Sequence, residues 1–328
     1  MSDKKPVLYL VVPCFNESEV LDKSSRILSN KLIELENYKI ISNESKVLFV
    51  NDGSTDGTES KLQDLVKSNS KFGVVSFAAN AGHQNAIYAG MMVAKDYADM
   101  VVTIDADLQQ DINAITKFID AYDEGCDVVY GVRNDRKTDK AFKKTTASIY
   151  YKIMKFLGSN VLENSADYRL LSKKALNCLS EYKESNLFLR GLIPSMGLNS
   201  GVVYFDVKDR EAGESKYTFK KMLNLAVAGL TSSSTTPIHL ICAFGGALVV
   251  VGLLLLLVDL FILIFTTSSS NLLLYSLLFI MFGITIGCIG LVGEYVGIIN
   301  QEVKNRPRYN IDYVLIKTKE KNDKKHSK

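Results

Sequence analysis

Acidic and amide side chains cluster in three short segments, each of which directly follows a run of apolar residues. The segments are PCFNE (residues 13–17), NDGSTDG (residues 51–57) and DADLQ (residues 105–109). In the third segment, Asp105 and Asp107 offer two carboxylates two positions apart, and Gln109 adds an amide oxygen. Oxygen donors of this kind suit a hard cation such as Mg²⁺ or Mn²⁺, which keeps open positions for phosphate oxygens. Together the segments predict a site for a divalent cation and a diphosphate.

The NDGSTDG segment offers groups that could recognise a nucleoside. Asp52 can accept a hydrogen bond from the N–H of a pyrimidine, and the glycines in the segment let the backbone approach a ligand closely. The same pattern is also typical of an ordinary surface turn, and taken alone it fits both interpretations. A divalent ion bridging a diphosphate would stabilise the charge that develops on a leaving nucleoside diphosphate.

The elements that must position these segments alternate between β-branched runs and stretches with helical spacing. The strand-like runs are 7–12, 46–50, 73–77, 100–104 and 127–132, and the helical stretches are 20–35, 56–67, 83–95 and 113–122. This alternation predicts an α/β fold with a parallel sheet, helices on both faces and right-handed crossovers. Ligands of such sheets bind beyond the carboxyl ends of the strands, where all three polar segments fall. We also expect Asp56 to cap the second helix.

The composition changes sharply after about residue 235. Two stretches, about 238–265 and 272–297, exceed the roughly 20 apolar residues that cross about 30 Å of hydrocarbon. The link between them is short and carries no Lys or Arg, whereas basic residues flank the pair on the outside. The positive-inside rule therefore predicts a transmembrane hairpin with both flanking parts in the cytoplasm. The preceding segment, 217–236, has the spacing of an interfacial amphipathic helix and linker, or of an ordinary packing helix.

These observations divide the chain into a catalytic domain (1–216), the interfacial segment (217–236), two transmembrane helices (237–300) and a basic cytoplasmic tail (301–328). A net charge of +3 gives no argument for nucleic acid, and the basic tail suits an anionic membrane surface. Five scattered cysteines suggest neither disulfides nor a zinc site. Without a convincing signal peptide, we expect a multi-pass protein of the plasma membrane. We assign no direct chemical role to His83 or His239, because neither has a second ligand nearby in the sequence.

The three polar segments, in this order and spacing, resemble the family 2 glycosyltransferases, which have a GT-A (Rossmann-like) nucleotide-sugar-binding fold. Further segments resemble the polyprenyl-phosphate glycosyltransferases, namely NAGHQ (80–84), GVR (131–133), ADYRL (166–170), FLRG (188–191) and REAGESKY (210–217). The resemblance runs from about residue 7 to 309 and implies a GT-A domain followed by the two-helix hairpin. Two departures are QDI at 110–112, where members often have His-Pro-Pro, and Ile298, where they often have a basic residue.

The resemblance also implies a role for each matching residue. The nucleotide-sugar-binding residues would be Pro13, Glu17, Asp52 and Asp105. The metal ligands would be Asp107, Gln109 and Asp105. The residues that bind the acceptor phosphate would be Arg133, Arg169, Arg210, Ser215 and Lys216. The catalytic residues would be Asp105, Asp107, Asp167, Arg133 and Arg169, with Asp167 facing the sugar or orienting Arg169.

A lipid-phosphate acceptor determines the expected mechanism. Its second pKa is about 6, so it is already ionised at neutral pH and needs positioning and cationic screening rather than a strong base. We therefore predict a metal-dependent transferase that moves a hexose from a nucleotide-sugar to polyprenyl (undecaprenyl) phosphate by in-line displacement, with inversion. UDP-glucose is the favoured donor, with UDP-N-acetylglucosamine and GDP-mannose as alternatives.

Two other functions compete with this one, and the oligomeric state is left open. A processive polysaccharide synthase would need a QxxRW motif, which a chain without Trp does not have. A non-catalytic, nucleotide-binding membrane scaffold would be indifferent to loss of Asp107. Besides the two substrates, the expected partners are the lipid bilayer and, as an open alternative, a second copy of the chain.

Overall fold

The computed structural model describes residues 5–134, 165–184, 187–206 and 271–317. Of these, residues 271–306 belong to one compact unit and all the others belong to a second one. Several expectations fall outside the described residues. They concern Arg210, Ser215, Lys216, His239, the interfacial helix, the first membrane span and residues 318–328 of the tail.

The larger unit alternates strands and helices over most of its length. In chain order its elements are β1 (Leu8–Cys14), α1 (Leu21–Asn37), β2 (Lys46–Asn51), α2 (Thr58–Ser68), β3 (Phe72–Phe77), α3 (His83–Ala94), β4 (Met100–Thr103), α4 (Ala114–Asp123), β5 (Val128–Arg133), β6 (Ser165–Ser172), α5 (Lys173–Ser180), α6 (Leu189–Ser195), β7 (Ser200–Phe205) and β8 (Ile311–Ile316). The other unit contributes α7 (Asn271–Lys304). The five predicted strands and four predicted helices of the first 133 residues are all present, and their bounds differ by one or two residues.

The strands form one eight-stranded mixed sheet in the order β7-β5-β6-β4-β1-β2-β3-β8. The central strands β4, β1, β2 and β3 are parallel, as predicted. The expectation of a wholly parallel sheet is wrong at both sides. Strand β6 inserts between β4 and β5 and runs antiparallel to both, and β8 runs antiparallel to β3. A repeat of strand and helix predicts only parallel neighbours, and neither β6 nor β8 belongs to that repeat.

Helices cover both faces of the sheet because successive strand residues point to opposite sides. In β1, Leu8, Leu10 and Val12 join a core with the apolar residues of α1, α2 and α4. The alternate residues, Tyr9 and Val11, join a second core with α3, α5 and α6. The result is the three-layer α/β arrangement expected from the sequence.

Helix α3 packs closely against β1 and β2 at Gly90. A Cβ atom at this position would lie 2.4 Å from Cγ1 of Val11 and 2.7 Å from Cγ2 of Val50. Glycine therefore lets the backbone of α3 approach the sheet. The spacing matters for function because α3 begins at His83, directly after the loop that follows β3.

Strand β8 makes part of the predicted tail (301–328) a component of the catalytic sheet. The residues just before β8 also contact the domain: the ring of Tyr309 stacks on Phe77 with 5.0 Å between centroids, and Arg308 lies 4.7 Å from the ring centroid of Tyr88. The guanidinium of Arg308 also donates to the carbonyl oxygen of Tyr182 at 2.8 Å. The tail was predicted from its basic residues, and the strand-forming run IDYVLI within it was therefore not recognised as a strand.

Helix α7 contains the second predicted membrane span, about 272–297. Counted over the described residues alone, no helix has the length and apolar character needed to cross a membrane. The predicted hairpin is therefore unconfirmed.

Candidate active site

The first two polar segments lie side by side at the carboxyl ends of β1 and β2, where Cys14 is paired with Asn51. The backbone N–H of Asn16 donates to Oγ of Ser54 at 3.1 Å, and the N–H of Thr55 donates to Oδ1 of Asn16 at 2.9 Å. Asn16 has a φ of 54°, a left-handed conformation that asparagine tolerates better than most residues. These bonds join the two turns into one rim of the site, as the sequence predicted.

Asp56 stabilises the start of α2 and also contacts the first turn. Its Oδ1 accepts from the N–H of Thr58 at 2.9 Å and its Oδ2 accepts from the N–H of Ser18 at 3.3 Å. The cap position itself is occupied by Gly57, so Asp56 acts from one residue earlier. Although desolvation acts to raise the pKa of Asp56, the bonds from Thr58 and Ser18 outweigh it and lower the pKa to about 2.

The Asp52 side chain stabilises the loop that precedes α3 through hydrogen bonds. Its carboxylate accepts from Nδ2 of Asn80 at 3.0 Å, from the N–H of Ala81 at 2.7 Å and from the N–H of Gly82 at 3.0 Å. The side chain is buried, and burial raises its pKa although the backbone N–H bonds oppose this. Gly53 has a φ of 63°, and a Cβ there would lie 2.5 Å from the backbone nitrogen of Asn80. Base recognition by Asp52 stays a prediction.

The same loop carries two side chains to the centre of the site. Nε2 of His83 lies 3.7 Å from Oδ1 of Asp105 and 3.8 Å from Oδ2 of Asp167. The next residue, Gln84, donates from Nε2 to Oδ2 of Asp167 at 3.3 Å. No chemical role was predicted for His83, because its neighbours in the fold are distant in the sequence. The NAGHQ segment was the only signal that pointed to it.

The DADLQ segment follows β4, the neighbour of β1 in the sheet. Asp105 accepts a hydrogen bond from Nε2 of Gln110, a residue without an assigned role in the sequence analysis. The other amide atom of Gln110, Oε1, is buried and has no hydrogen-bond partner among the described residues. Leu108 has a φ of 47°, which is uncommon for a bulky residue and marks local backbone strain.

The donor set around Asp105 has the chemistry of a cation site. Burial raises the pKa of Asp105, His83 opposes the shift, and the carboxylates of Asp167 and Asp107 add to it. Crowded carboxylates and the unsatisfied amide oxygen of Gln110 are the hard donors that Mg²⁺ and Mn²⁺ prefer. No group of three His, Cys, Asp or Glu residues suited to a metal occurs in the described part of the chain. The ligands Asp105, Asp107 and Gln109 thus stay a prediction.

Asp167 lies between two guanidinium groups. Its Oδ1 is 2.6 Å from Nη2 of Arg169, while Arg190 donates from Nε to Oδ1 at 3.2 Å and from Nη2 to Oδ2 at 3.0 Å. Burial acts to raise the pKa of Asp167, but the charges of Arg190 and Arg169 dominate and hold it well below its usual range. Asp167 is therefore an ionised anchor for two arginines. Arg190 had been noticed only as part of the FLRG segment.

The arginines with predicted phosphate-binding roles differ in accessibility. The side chain of Arg169 is only 2% exposed and also donates to the carbonyl oxygens of Leu189 and Ala166. Arg133 is partly exposed at the end of β5. Of the predicted nucleotide-binding residues, Pro13 is buried within β1 and Glu17 is partly exposed beside it. The binding roles of these four residues stay predictions.

Sequence comparison places these features among known proteins. The model of the family described as "Glycosyl transferase family 2" matches residues 9–180. An uncharacterized glycosyltransferase of Bacillus subtilis (strain 168), YkoT, is 42% identical over 317 residues, which are 96% of this chain and 94% of the relative. The SfII prophage-derived bactoprenol glucosyl transferase of Shigella flexneri is 35% identical over 304 residues, with coverage of 92% and 96%. A prophage bactoprenol glucosyl transferase homolog of Escherichia coli (strain K12) is 35% identical over 311 residues, with coverage of 93% and 98%.

Among solved structures, glucosyl-3-phosphoglycerate synthase from Mycobacterium tuberculosis aligns with a TM-score of 0.46 at 17% sequence identity. The alignment covers 70% of this chain and 80% of that one. This degree of structural likeness is too low to support an inference about function.

Proposed function

The chain belongs to glycosyl transferase family 2, and from this premise we propose that it transfers a hexose from a nucleotide-sugar to polyprenyl phosphate. The observation that carries the proposal is the 35% identity, over 92% of this chain, to a protein named as a bactoprenol glucosyl transferase. The donor is UDP-glucose, with UDP-N-acetylglucosamine and GDP-mannose as the alternatives that the test below separates.

The donor is held at the rim formed by the first two turns. Pro13, Glu17 and Asp52 bind the nucleoside part, and the bonds of Asp52 to residues 80–82 also place the loop that leads to His83. Gly53 occupies a tight position in this rim, where the absence of a side chain lets the second turn approach the backbone of Ala79 and Asn80. The sugar then lies toward the carboxylates that follow β4 and start β6.

The residues of the site support displacement without a strong base. Asp167 is fully ionised but is held by two guanidinium groups, so it is a poor proton acceptor. A phosphate acceptor does not need one, because its second pKa is about 6. Positioning and electrostatic preorganisation supply the rate. The anomeric carbon is attacked directly and its configuration is inverted.

A divalent cation, Mg²⁺ or Mn²⁺, belongs to this proposal. Asp107 and Gln109, with Asp105, would hold it, and Gln110 is a further oxygen donor beside Asp105. When bound, the cation stabilises negative charge on the leaving nucleoside diphosphate. Removal of divalent ions with EDTA is expected to abolish transfer, and added Mg²⁺ or Mn²⁺ is expected to restore it.

We also propose that the protein is a multi-pass protein of the plasma membrane with its catalytic part and tail in the cytoplasm. The flanking basic residues support this orientation. Support also comes from the large apolar side chains that are exposed among the described side chains of α7, because exposed apolar surface of this kind suits a lipid environment. They are Leu274, Leu278, Met281, Ile289, Val292, Val296, Ile299 and Val303.

The test incubates the full-length protein in membranes with undecaprenyl phosphate and a panel of labelled nucleotide-sugars. One sugar should appear in the lipid fraction, and UDP-glucose is expected to supply it. In Asp107→Ala, product should fall to background while the amount of folded protein is unchanged. Asp64→Asn is the matched control, because the contact of Asp64 among the described residues is an exposed ion pair with Lys67. Unchanged product in Asp107→Ala, or no lipid-linked sugar with any donor, would contradict the proposed function.

A further inference from the structure

The side chain of Gln84 joins the first turn of α3 to the start of α6, beside the site. Its Oε1 accepts from the N–H of Leu189, and its Nε2 donates to Oδ2 of Asp167, each at 3.3 Å. Hydrogen bonds from N–H to oxygen are usually about 2.9–3.0 Å long, so both contacts lie near the upper limit. A small displacement of α3 away from α6 would therefore break them.

The same two segments are bridged a second time by Arg308, from the C-terminal part of the chain. Its guanidinium lies 4.7 Å from the ring centroid of Tyr88 in α3 and donates from Nη2 to the carbonyl oxygen of Tyr182 at 2.8 Å. Tyr88 follows Gln84 by four residues, which is about 6 Å along the helix axis. Tyr182 lies between α5 and α6, seven residues before Leu189. Arg308 thus spans the same pair of segments further from the reacting groups.

Both partners of Arg308 are suited to a guanidinium. The carbonyl group of Tyr182 lies just past the C-terminal end of α5, where the helix dipole favours a positive charge. The ring of Tyr88 is 7% exposed, and a cation over an aromatic ring is held more strongly when water is excluded. A planar guanidinium can stack on a ring and donate to a carbonyl group at the same time, which a lysine ammonium does less well.

The bridge is also attached to the sheet. Tyr309, the residue after Arg308, stacks on Phe77 of β3, and β8 begins two residues later and pairs with β3. A side chain on a freely moving segment could follow α3 and would hold nothing in place. Because Arg308 is tied to β3 by its neighbours in the chain, it limits how far α3 and the segment before α6 can separate.

We propose that Arg308 is a positioning residue for the transfer reaction. By holding Tyr88 and Tyr182 together, it keeps Gln84 within reach of Leu189 and Asp167 and so keeps α3 aligned with α6 at the site. Displacements of about 1 Å in the groups around the substrates are enough to slow a reaction strongly. The effect on catalysis rests on the proposed function, whereas the effect on the contacts of Gln84 needs no substrate.

The kinetic experiment compares wild type with Arg308→Gln, Arg308→Lys and the control Arg26→Gln. The control removes an exposed guanidinium from α1, which packs on the other face of the sheet. Arg308→Gln is expected to lower kcat at least fivefold, while the KM of the nucleotide-sugar stays within threefold because the rim formed by the first two turns is untouched. Arg308→Lys should recover part of the lost kcat, and Arg26→Gln should match wild type.

A double variant separates positioning from a general loss of stability. If Arg308 acts through Gln84, Arg308→Gln should lower kcat less than twofold when Gln84→Met is already present, because changes that act on one contact are not additive. The melting temperature of each variant measures any loss of folded protein. A kcat of Arg308→Gln within twofold of wild type would overturn the inference, and so would two effects that simply multiply in the double variant.

Hydrogen exchange tests the same contact without any substrate. In the full-length protein, mass spectrometry should show the amide of Leu189 exchanging at least fivefold faster in Arg308→Gln, with the amides of α1 unchanged. This result is expected even if wild type makes no lipid-linked product, so failure of the proposed function can be told from failure of this inference. Exchange of the Leu189 amide at the wild-type rate would overturn it. If Arg308→Gln does not fold, Arg308→Lys is measured instead, and at least twofold faster exchange is expected.

Discussion

Asp167 lies between two arginines, and its negative charge allows Arg169 to remain buried. At the scale of single residues, the positions of the three polar turns could be predicted because each turn directly follows a strand. It did not reveal His83, Gln110 or Arg190 as members of the site. Their partners are distant in the chain, and contacts of that kind follow from the tertiary fold rather than from local spacing.

Replacement of Asp167 by Asn should destabilise the larger unit by about 3 kcal/mol or more, because it leaves the buried charge of Arg169 without its counterion. Chemical denaturation of the variant and of wild type measures the difference. Asp64→Asn removes an ion pair that is exposed on both sides and should change stability by less than about 1 kcal/mol. Equal stability of Asp167→Asn and wild type would contradict the charge assignment.

Asp56 should contribute stability that depends on pH. Its pKa is about 2 in the folded protein and 3.8 in the unfolded chain, so the carboxylate stabilises the fold above pH 3.8. That contribution is lost as the pH falls from there through the folded pKa. Asp56→Ala should cost roughly 0.5–1 kcal/mol at neutral pH, as for other residues that bond helix-terminal N–H groups. The unfolding free energies of wild type and Asp56→Ala, measured between pH 7 and 3, should converge as the pH falls. A difference that stays constant over this range would contradict a contribution from the ionised carboxylate of Asp56.

At the scale of elements, the sequence predicted what local periodicity determines. The first four strands and four helices follow from the apolar patterns in the sequence, and the alternation of strand and helix predicts that these strands run parallel. Strand β6 was not predicted, because its direction is determined by its pairing with β4 and β5. The strand contains the ADYRL segment, which was singled out for its resemblance to the family and not as a strand.

Gly90 provides a test of how closely α3 must approach the sheet. Gly90→Ala places a methyl group within 2.7 Å of both Val11 and Val50, so we expect a loss of about 1–3 kcal/mol from overpacking. Transfer activity should fall as well, because His83 starts the same helix. Gly297→Ala is the matched control in a helix, since its new methyl group would have no atom of the described residues within 4 Å and should be neutral or slightly stabilising. Melting temperatures and initial rates of both variants give the comparison, and wild-type values for Gly90→Ala would contradict the packing argument.

At the scale of the whole molecule, the catalytic sheet is assembled from segments at both ends of the described chain. Tyr313 in β8 bonds through its hydroxyl group to Gln63 and Glu59 of α2, the latter 254 positions away. The backbone N–H of Ala78, two residues before Asn80, donates to the carbonyl oxygen of Asn310 at 3.0 Å. The loop bonded to Asp52 therefore begins beside the last strand of the sheet.

A chain that ends after residue 306 should fold poorly, because β3 would become an unpaired, apolar edge. We expect at least a severalfold loss of soluble or membrane-extracted monomer and a corresponding gain of aggregate, measured by size-exclusion chromatography. A chain that ends after residue 317 keeps β8 and serves as the control. Equal yields of monomer from the two chains would show that β8 is dispensable.

The position of β8 in the chain also determines when the sheet can be completed during translation. Strand β3 emerges early, but its outer neighbour is translated only after α7, so the sheet has an open edge during most of synthesis. Until the last strand is translated, the outer edge of β3 is unpaired and can pair with another chain. Slow or interrupted translation between β7 and β8 would therefore expose the nascent protein to misassembly before it could bind any substrate.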